Sequence, residues 1–131
     1  MRINTHNTLL RNSLLATMAL VAAGFIATTY AGSTDTNYLT FNRDVALPGV
    51  VLPAGTYVFE IANPETSHDI VRVRTKDGHV QYMGFTLKVD RPAGLPANEP
   101  VSFREGRPDL PVPIAAWFPL GTSSGRQFQY R

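Results

Sequence analysis

The chain contains no cysteine among its 131 residues. This excludes disulfide bonds, cysteine nucleophiles, lipid attachment through cysteine and a blue-copper centre, which needs a cysteine thiolate. Helical patterns are also lacking, because no stretch beyond residue 31 combines a helical apolar period with helix caps. Ten prolines and ten glycines favour short strands joined by turns instead.

Clusters of basic residues are lacking as well. The chain has 12 Lys and Arg against 10 Asp and Glu. Two of the basic residues, Arg2 and Arg11, lie in the first 31 residues, whereas all ten acidic residues follow, so residues 32–131 carry ten charges of each sign. A neutral domain without basic clusters has no electrostatic footprint for nucleic acid. We therefore expect no nucleic-acid partner.

The N-terminal segment has the layout of a secretory signal peptide. Arg2 and Arg11 flank a polar start, the segment from Leu14 to Ala27 is apolar except for Thr17, and the small residue Ala31 closes the segment. We expect residues 1–31 to be cleaved, which leaves a single domain of residues 32–131 that is secreted or periplasmic. An uncleaved membrane anchor is the alternative, because the apolar run approaches the length that spans a bilayer.

Alternating apolar residues predict strands in the remaining chain. Tyr57, Phe59 and Ile61 fall on one face of an extended segment, and Leu52-Pro53-Ala54-Gly55 before them is a turn. Residues 38–41 and 45–47 look like one edge strand that is broken near Asn42. About seven such strands at this spacing predict a single antiparallel β-sandwich.

The clearest hairpin surrounds Asp77-Gly78, which predicts a two-residue type I′ turn between residues 70–75 and 80–83. This turn places Lys76 opposite His79, Val73 opposite Tyr82 and Val71 opposite Gly84. Four residues would then face the core: Val71, Val73, Val80 and Tyr82.

Beyond Gly84 the apolar positions change from even-numbered to odd-numbered residues. Phe85, Leu87 and Val89 replace the even-numbered set, which predicts that they face the core after a β-bulge at Met83-Gly84-Phe85.

No catalytic constellation is apparent, and we expect the protein not to be an enzyme. Ser67, His68 and Asp69 are consecutive, but neighbours on an extended chain point to opposite faces. We therefore predict a turn at the start of a strand there and no catalytic residues. An enzyme would need a pocket built from the loops 91–98 and 106–113.

We also expect no metal site and no cofactor. After cleavage only His68 and His79 remain, and the hairpin register separates them by roughly 26 Å. The alternative to a plain binding module is a degenerate cupredoxin-like carrier of a metal or small ligand, which would use His68 and Met83.

Three residues are candidates for ligand contact. Arg72 and Arg74 share an outward face with Lys76, where arginine can pair with carboxylate or phosphate, although such a face can also be simply solvated. Trp117 with Phe118 could form a platform for sugar stacking, although a lone tryptophan in a domain of this size is usually a core residue.

Three segments of the chain together carry a resemblance to known proteins: the turn and strand at Leu47–Phe59, the segment Trp117-Phe118-Pro119, and the pattern Gly-x-x-Phe-x-Tyr at Gly125–Tyr130. They resemble segments of small uncharacterised secreted bacterial β-sandwich proteins, many of them acidobacterial. Here Leu120 separates the proline and glycine that are adjacent in that group. The turn is also similar to turns in cupredoxins and in transthyretin-like or carboxypeptidase-regulatory sandwiches. The resemblance implies export and an all-β fold but no activity.

These observations predict an exported, non-enzymatic β-sandwich that acts as a binding or structural module in the periplasm or at the cell surface. The expected partners are an envelope protein or a glycan. Contact with the membrane is expected only through an uncleaved N-terminal segment.

Overall fold

The computed structural model describes residues 31–33 and 35–131. Ten strands run through them: β1 (Ala31–Ser33), β2 (Thr36–Phe41), β3 (Val45–Leu47), β4 (Val50–Leu52), β5 (Gly55–Asn63), β6 (Ser67–Thr75), β7 (Val80–Asp90), β8 (Val101–Phe103), β9 (Val112–Trp117) and β10 (Ser124–Phe128). The predicted all-β class is confirmed. No helix that could cross a bilayer occurs in this part of the chain. Apart from Ala31, the predicted signal peptide lies outside the described residues and stays a prediction.

The strands form one continuous sheet, in the order β1-β2-β5-β6-β7-β10-β9-β3-β4, with β8 also paired to β9. The contact between β3 and β9 is parallel and the other strand pairs are antiparallel. The predicted antiparallel sandwich of about seven strands is therefore wrong. Four of the ten strands, β1, β3, β4 and β8, are only three residues long. Strands this short carry too little alternation for their number and pairing to be inferred from sequence.

The sheet curls so that distant strands face each other across one core. Phe59 on β5 and Trp117 on β9 are four neighbours apart in the sheet, which would separate them by about 19 Å if the sheet were flat. Their ring centroids are only 6.0 Å apart. Phe128 on β10 also packs edge-on against Phe59 at 6.5 Å. The core also contains aliphatic residues from both sides of the curl: Leu39, Val45, Leu47, Leu52, Ile61, Val71, Val73, Val101 and Ile114.

The β6–β7 hairpin has a different turn from the predicted one. Gly78 N–H donates to the carbonyl of Thr75 at 3.0 Å, and Thr75 N–H donates to the carbonyl of His79 at 2.9 Å. The loop therefore holds three residues, 76–78. Gly78 has a φ of +99° and Asp77 does not have a positive φ, whereas a type I′ turn needs a positive φ at both central positions. The prediction of a two-residue type I′ turn is wrong.

A bulge in β7 then restores the predicted register. Arg74 pairs with Val80 but Val73 pairs with Tyr82, so Gln81 is the extra residue. The three-residue loop shifts the pairing by one position and the bulge shifts it back. The predicted pairs of Val73 with Tyr82 and of Val71 with Gly84 are confirmed for this reason.

The predicted bulge at Met83-Gly84-Phe85 is absent, since β6 and β7 pair without interruption through these residues. Gly84 has a different role: a Cβ there would lie 2.3 Å from the hydroxyl of Tyr82, whose side chain covers the glycine on the inner face. The tyrosine ring in turn packs on Phe128 at 5.6 Å.

Because the even-numbered residues of β7 stay on the inner face beyond Gly84, Thr86 is the buried residue there. Phe85 and Leu87 point outward, and so the prediction that they face the core is wrong. Val80 is also exposed, contrary to its predicted inward position, and Val89 is only partly buried.

Candidate interaction surface

The outer face of β7 carries a row of exposed apolar side chains. Met83, Phe85 and Leu87 alternate along the strand and are 52%, 72% and 57% exposed. Because alternate residues of a strand point to the same face, the three side chains lie next to one another over about 13 Å. We call these three residues the β7 row.

The register of the sheet defines the neighbours of the β7 row. Met83 lies opposite Arg72 and Phe85 lies opposite Ile70, both on β6. On the other side, Leu87 lies opposite the exposed Gln127 of β10. Ile70 extends the apolar centre beside Phe85, whereas the charged Arg72 and the uncharged polar Gln127 lie beside the two ends of the row.

The row is distinct from the ordinary scatter of exposed apolar residues. Seven large apolar side chains are exposed in the described part of the chain, and four of them lie on β7, whereas Val51, Leu110 and Leu120 lie on separate segments. Single exposed apolar residues need no explanation, but contiguous ones mark interaction surfaces. The β7 row is therefore the strongest candidate site in this structure.

From sequence the same residues were expected in the core, and so this surface was not predicted. Apolar alternation identifies a strand but does not tell which face is buried when both faces carry apolar residues. The useful indication was Gly84, which permits close approach of another group as well as a bulge. The buried Thr86 hydroxyl donates to the carbonyl of Asp69 at 2.7 Å, which makes a polar residue acceptable on the inner face.

Arg72 and Arg74 lie together on the outer face of β6, where the sequence placed them. The Nε atoms of both donate to the same oxygen of Glu60 on β5, at 2.6 Å and 3.1 Å. Their side chains are 33% and 26% exposed, and that of Glu60 is 10% exposed. The carboxylate contact that a ligand could have offered to these arginines is thus made within the protein. Lys76 lies in the hairpin loop.

Trp117 is fully buried. Its indole packs against Phe59 in the centre of the core, and the neighbouring Phe118 is 1% exposed. Neither ring presents a face to solvent, so the pair is part of the core and does not form a platform for a sugar.

The histidine and methionine of the carrier alternative are not brought together. If the pairing of Ile70 with Phe85 is continued, His68 comes to lie opposite Leu87, four residues and about 13 Å from Met83. That separation is too large for a shared metal ion. Within the described residues no group of three or more His, Asp or Glu is arranged to hold a metal.

Ser67, His68 and Asp69 form the start of β6. The Ser67 hydroxyl accepts a hydrogen bond from the Asp69 N–H at 3.1 Å, which is a turn contact. The Asp69 carboxylate pairs with Arg126 of β10 at 2.9 Å. Both polar groups therefore have structural partners away from the exposed His68.

The loop 91–98 contributes to a cavity of about 630 Å³ that also involves residues 121–123. The loop 106–113 instead borders a separate groove of about 420 Å³ next to residues 42–44. The two loops are thus not combined in one pocket. Arg91 in the first cavity donates to the carbonyls of Pro96 and Glu99 at 2.7 Å and 2.8 Å, and its guanidinium lies 4.9 Å from the Phe118 ring centroid.

Three tyrosines, of which Tyr57 is buried and Tyr82 and Tyr130 are partly buried, have raised pKa values. Burial raises the pKa of Tyr130 to about 12, and burial also raises the pKa of Tyr57 and the pKa of Tyr82. The Tyr130 hydroxyl donates to the carbonyl of Ile114 at 2.7 Å, and the Tyr57 hydroxyl donates to that of Pro53 at 2.6 Å. All three phenols stay protonated near neutral pH, and those of Tyr57 and Tyr130 stabilise the fold as hydrogen-bond donors.

No family model, curated protein or solved structure significantly matches this chain.

Proposed function

We propose that this protein is an exported, non-enzymatic binding module that docks the outer face of β7 onto an apolar surface of a partner protein. The observation that carries the proposal is the β7 row. Leaving a large apolar side chain in water forgoes about 1.5–3 kcal/mol of burial free energy, which becomes available when a partner covers it. Phe85, at 72% exposed, offers the largest part of that gain.

The chemistry of the surface favours a protein partner over a glycan. A sugar site combines an aromatic platform with polar groups that fix the hydroxyls. The flanking side chains of Phe85 on its own strand are Met83 and Leu87, which offer no such donors, and the indole of Trp117 is buried. An apolar centre with a polar rim is instead the usual composition of a protein–protein interface.

Export is supported by the predicted signal peptide and by the resemblance to secreted bacterial proteins. The test is the intact mass and N-terminal sequence of the protein that accumulates in a bacterial host expressing the full chain. We expect the N-terminus at or near Gly32. A chain that keeps Met1 and stays in the cytoplasmic fraction would contradict export.

Docking is tested by placing a photo-reactive phenylalanine analogue at position 85 and irradiating the producing cells. We expect discrete cross-linked adducts, because the side chain lies at the centre of the proposed interface. The matched control carries the analogue at position 110, since Leu110 is 48% exposed but belongs to another segment.

Adducts that form at position 85, are absent at position 110 and disappear on Leu87→Lys support the proposal. Equal labelling from both positions, or none from position 85, would overturn it.

A further inference from the structure

We propose that the cavity at the end of β7 binds a short zwitterionic peptide, with the peptide carboxylate on Arg91 and the peptide ammonium group on Asp90. The cavity measures about 630 Å³ and is formed by the end of β7, the loop that follows it and the turn 121–123. This volume lies within the range of about 300–1,000 Å³ that is typical of small-molecule sites. Asp90 lies three residues, or about 10 Å, beyond Leu87 along the strand, so the site is separate from the β7 row.

Arg91 is held in place from several sides. Its Nη1 atom donates to the carbonyls of Pro96 and Glu99 at 2.7 Å and 2.8 Å. Its guanidinium lies 4.9 Å from the ring centroid of the buried Phe118. Its backbone N–H donates to the carbonyl of Ser123 at 2.9 Å, which joins the two walls of the cavity. A side chain that is already ordered loses little further freedom when a ligand binds, and this favours affinity.

These contacts use only one of the three guanidinium nitrogens of Arg91. Within the described part of the chain, Nε and Nη2 have no hydrogen-bond partner, and no buried polar side-chain atom lacks one, so both nitrogens are open to solvent. Nε and Nη2 form one edge of the planar group, and their parallel N–H bonds match the two oxygens of a carboxylate. This edge is therefore the part of Arg91 that receives the ligand.

The charge of Arg91 is not neutralised by an acidic side chain of the described residues. Three other half-buried arginines, Arg72, Arg74 and Arg126, each pair with a carboxylate at 2.6–3.1 Å. Arg91 has only neutral carbonyls as hydrogen-bond partners. A ligand carboxylate supplies the missing countercharge, and such charge-assisted hydrogen bonds are stronger than neutral ones.

Asp90 lines the same cavity and carries the opposite charge. Its exposed side chain forms no ion pair with any residue that the structure describes, the adjacent Arg91 included. Its backbone is fixed opposite Ser124 by the pairing of β7 with β10. Two opposite charges that line one cavity without neutralising each other are complementary to a ligand that carries both. Asp90 repels a simple anion but attracts the ammonium group of a peptide.

The turn 121–123 supplies a further polar group for the peptide backbone of the ligand. The Thr122 hydroxyl donates to the carbonyls of Pro119 and Ser124 at 2.6 Å and 2.8 Å, which holds the turn in place. The neighbouring Ser123 is exposed, and its hydroxyl can therefore bond to a ligand amide.

The test is an NMR titration of the isotope-labelled protein, in the form that the producing cell accumulates, with the dipeptide L-alanyl-L-alanine. We expect saturable shifts of the Arg91 Nε–H and Gly121 N–H signals, with a dissociation constant of about 1 mM or lower. The signal of Gly78, at the other end of β7, should not move. The N-acetylated and the C-amidated dipeptide each lack one charge, and each should bind at least about tenfold more weakly.

Three variants test the two contacts. Asp90→Asn removes one charge at an exposed position and should raise the dissociation constant at least about tenfold. Arg91→Lys keeps the charge but loses the paired N–H edge, and the same increase is expected. Arg104→Lys is the matched control and leaves binding unchanged, because Arg104 also lies over an aromatic ring, 4.6 Å from the Tyr130 centroid, but lines a separate groove. The fluorescence of the buried Trp117 reports that each variant is folded.

The peptide site is overturned if the dipeptide causes no saturable shift of these signals, or if either blocked dipeptide binds as tightly as the free one. It is also overturned if Arg104→Lys weakens binding as much as Asp90→Asn does. None of these results bears on docking at the β7 row, which the cross-links from position 85 test separately.

Discussion

The side chain of Asn37 accepts the indole proton of Trp117 at 3.1 Å, across five strand positions of the sheet. The same amide oxygen accepts the N–H of Leu120 at 3.1 Å, and the amide nitrogen donates to the carbonyl of Thr36 at 2.9 Å. Asn37 is fully buried, as is Trp117. This one side chain therefore joins opposite sides of the curled sheet across the core. Its amide oxygen satisfies two donors that would otherwise be left unpaired.

Replacement of Asn37 by Leu removes that acceptor while keeping a similar volume. Each buried donor left unpaired costs about 1–3 kcal/mol, so we expect the free energy of unfolding to fall by about 2–5 kcal/mol. Urea denaturation followed by Trp117 fluorescence measures the change. Asn98→Leu, in an exposed loop, is the control. An unchanged denaturation midpoint for Asn37→Leu would contradict the structural role of this bond.

Glu60 is expected to matter more than an exposed acidic residue. Glu60→Gln removes the carboxylate that two arginines share at a 10% exposed site, and we expect a loss of about 1–3 kcal/mol, discounted for the partial exposure of the arginines.

The control is Asp109→Asn, because the pair of Arg107 and Asp109 is 75% and 65% exposed. That change should lower stability by less than about 0.5 kcal/mol. If Glu60→Gln and Asp109→Asn lowered the melting temperature equally, the contact of Glu60 with its two arginines would stabilise the fold no more than an exposed ion pair does.

Gly125 on β10 leaves no room for a side chain. A Cβ there would lie 2.3 Å from Cδ1 of Phe118 and 2.6 Å from the carbonyl oxygen of Trp117. Gly125→Ala should therefore destabilise the fold by about 2 kcal/mol or more. Gly94→Ala provides the comparison, since no atom lies within 4 Å of its Cβ position and its φ is not positive. If Gly125→Ala and Gly94→Ala melted at the same temperature, the close contact of Gly125 with Phe118 and Trp117 would be contradicted.

The carboxyl group of Asp77 should titrate below its ordinary range. The hydroxyl of Thr75 donates to this carboxylate, and that hydrogen bond is the largest cause lowering the pKa of Asp77. Because the folded-state pKa is lowered, the contribution to stability is present above the unfolded-state pKa and is lost as the pH falls through the folded-state value.

NMR titration of the Asp77 side chain measures this shift. Thr75→Val should raise the pKa toward its ordinary value, and Thr66→Val, at an exposed turn, should leave it unchanged. A titration of Asp77 that is the same in all three proteins would contradict the contact.

The parts of the fold that depend on local pattern could be predicted from sequence. The alternation in β5 correctly placed Tyr57, Phe59 and Ile61 in the core, where they are 7%, 0% and 5% exposed. The register of β6 against β7 was also correct from Val73 toward the start of β6, although the pairing next to the turn was not. The curl of the sheet and the parallel contact of β3 with β9 depend on residues far apart in the chain, and no local pattern carries that information.

The candidate site shows a similar division. Arg72 and Arg74 were correctly placed on one outward face, but their partner Glu60 follows only from the pairing of β5 with β6. The β7 row was missed because Gly84 was interpreted as a bulge. In the structure, the glycine accommodates Tyr82, and that local packing decides which face of β7 meets water.

Hydroxyl-radical footprinting of the wild-type protein, in producing cells and as a dilute purified sample, tests the central claim most directly. In the dilute sample Phe85 and Leu110 should both be oxidised, while Phe59 should stay unmodified. If the proposed partner covers the β7 row, Phe85 should be protected severalfold in cells and Leu110 should not. A Phe85 that resists oxidation in the dilute sample would contradict its outward position, and a Phe85 equally oxidised in both samples would contradict the docking role.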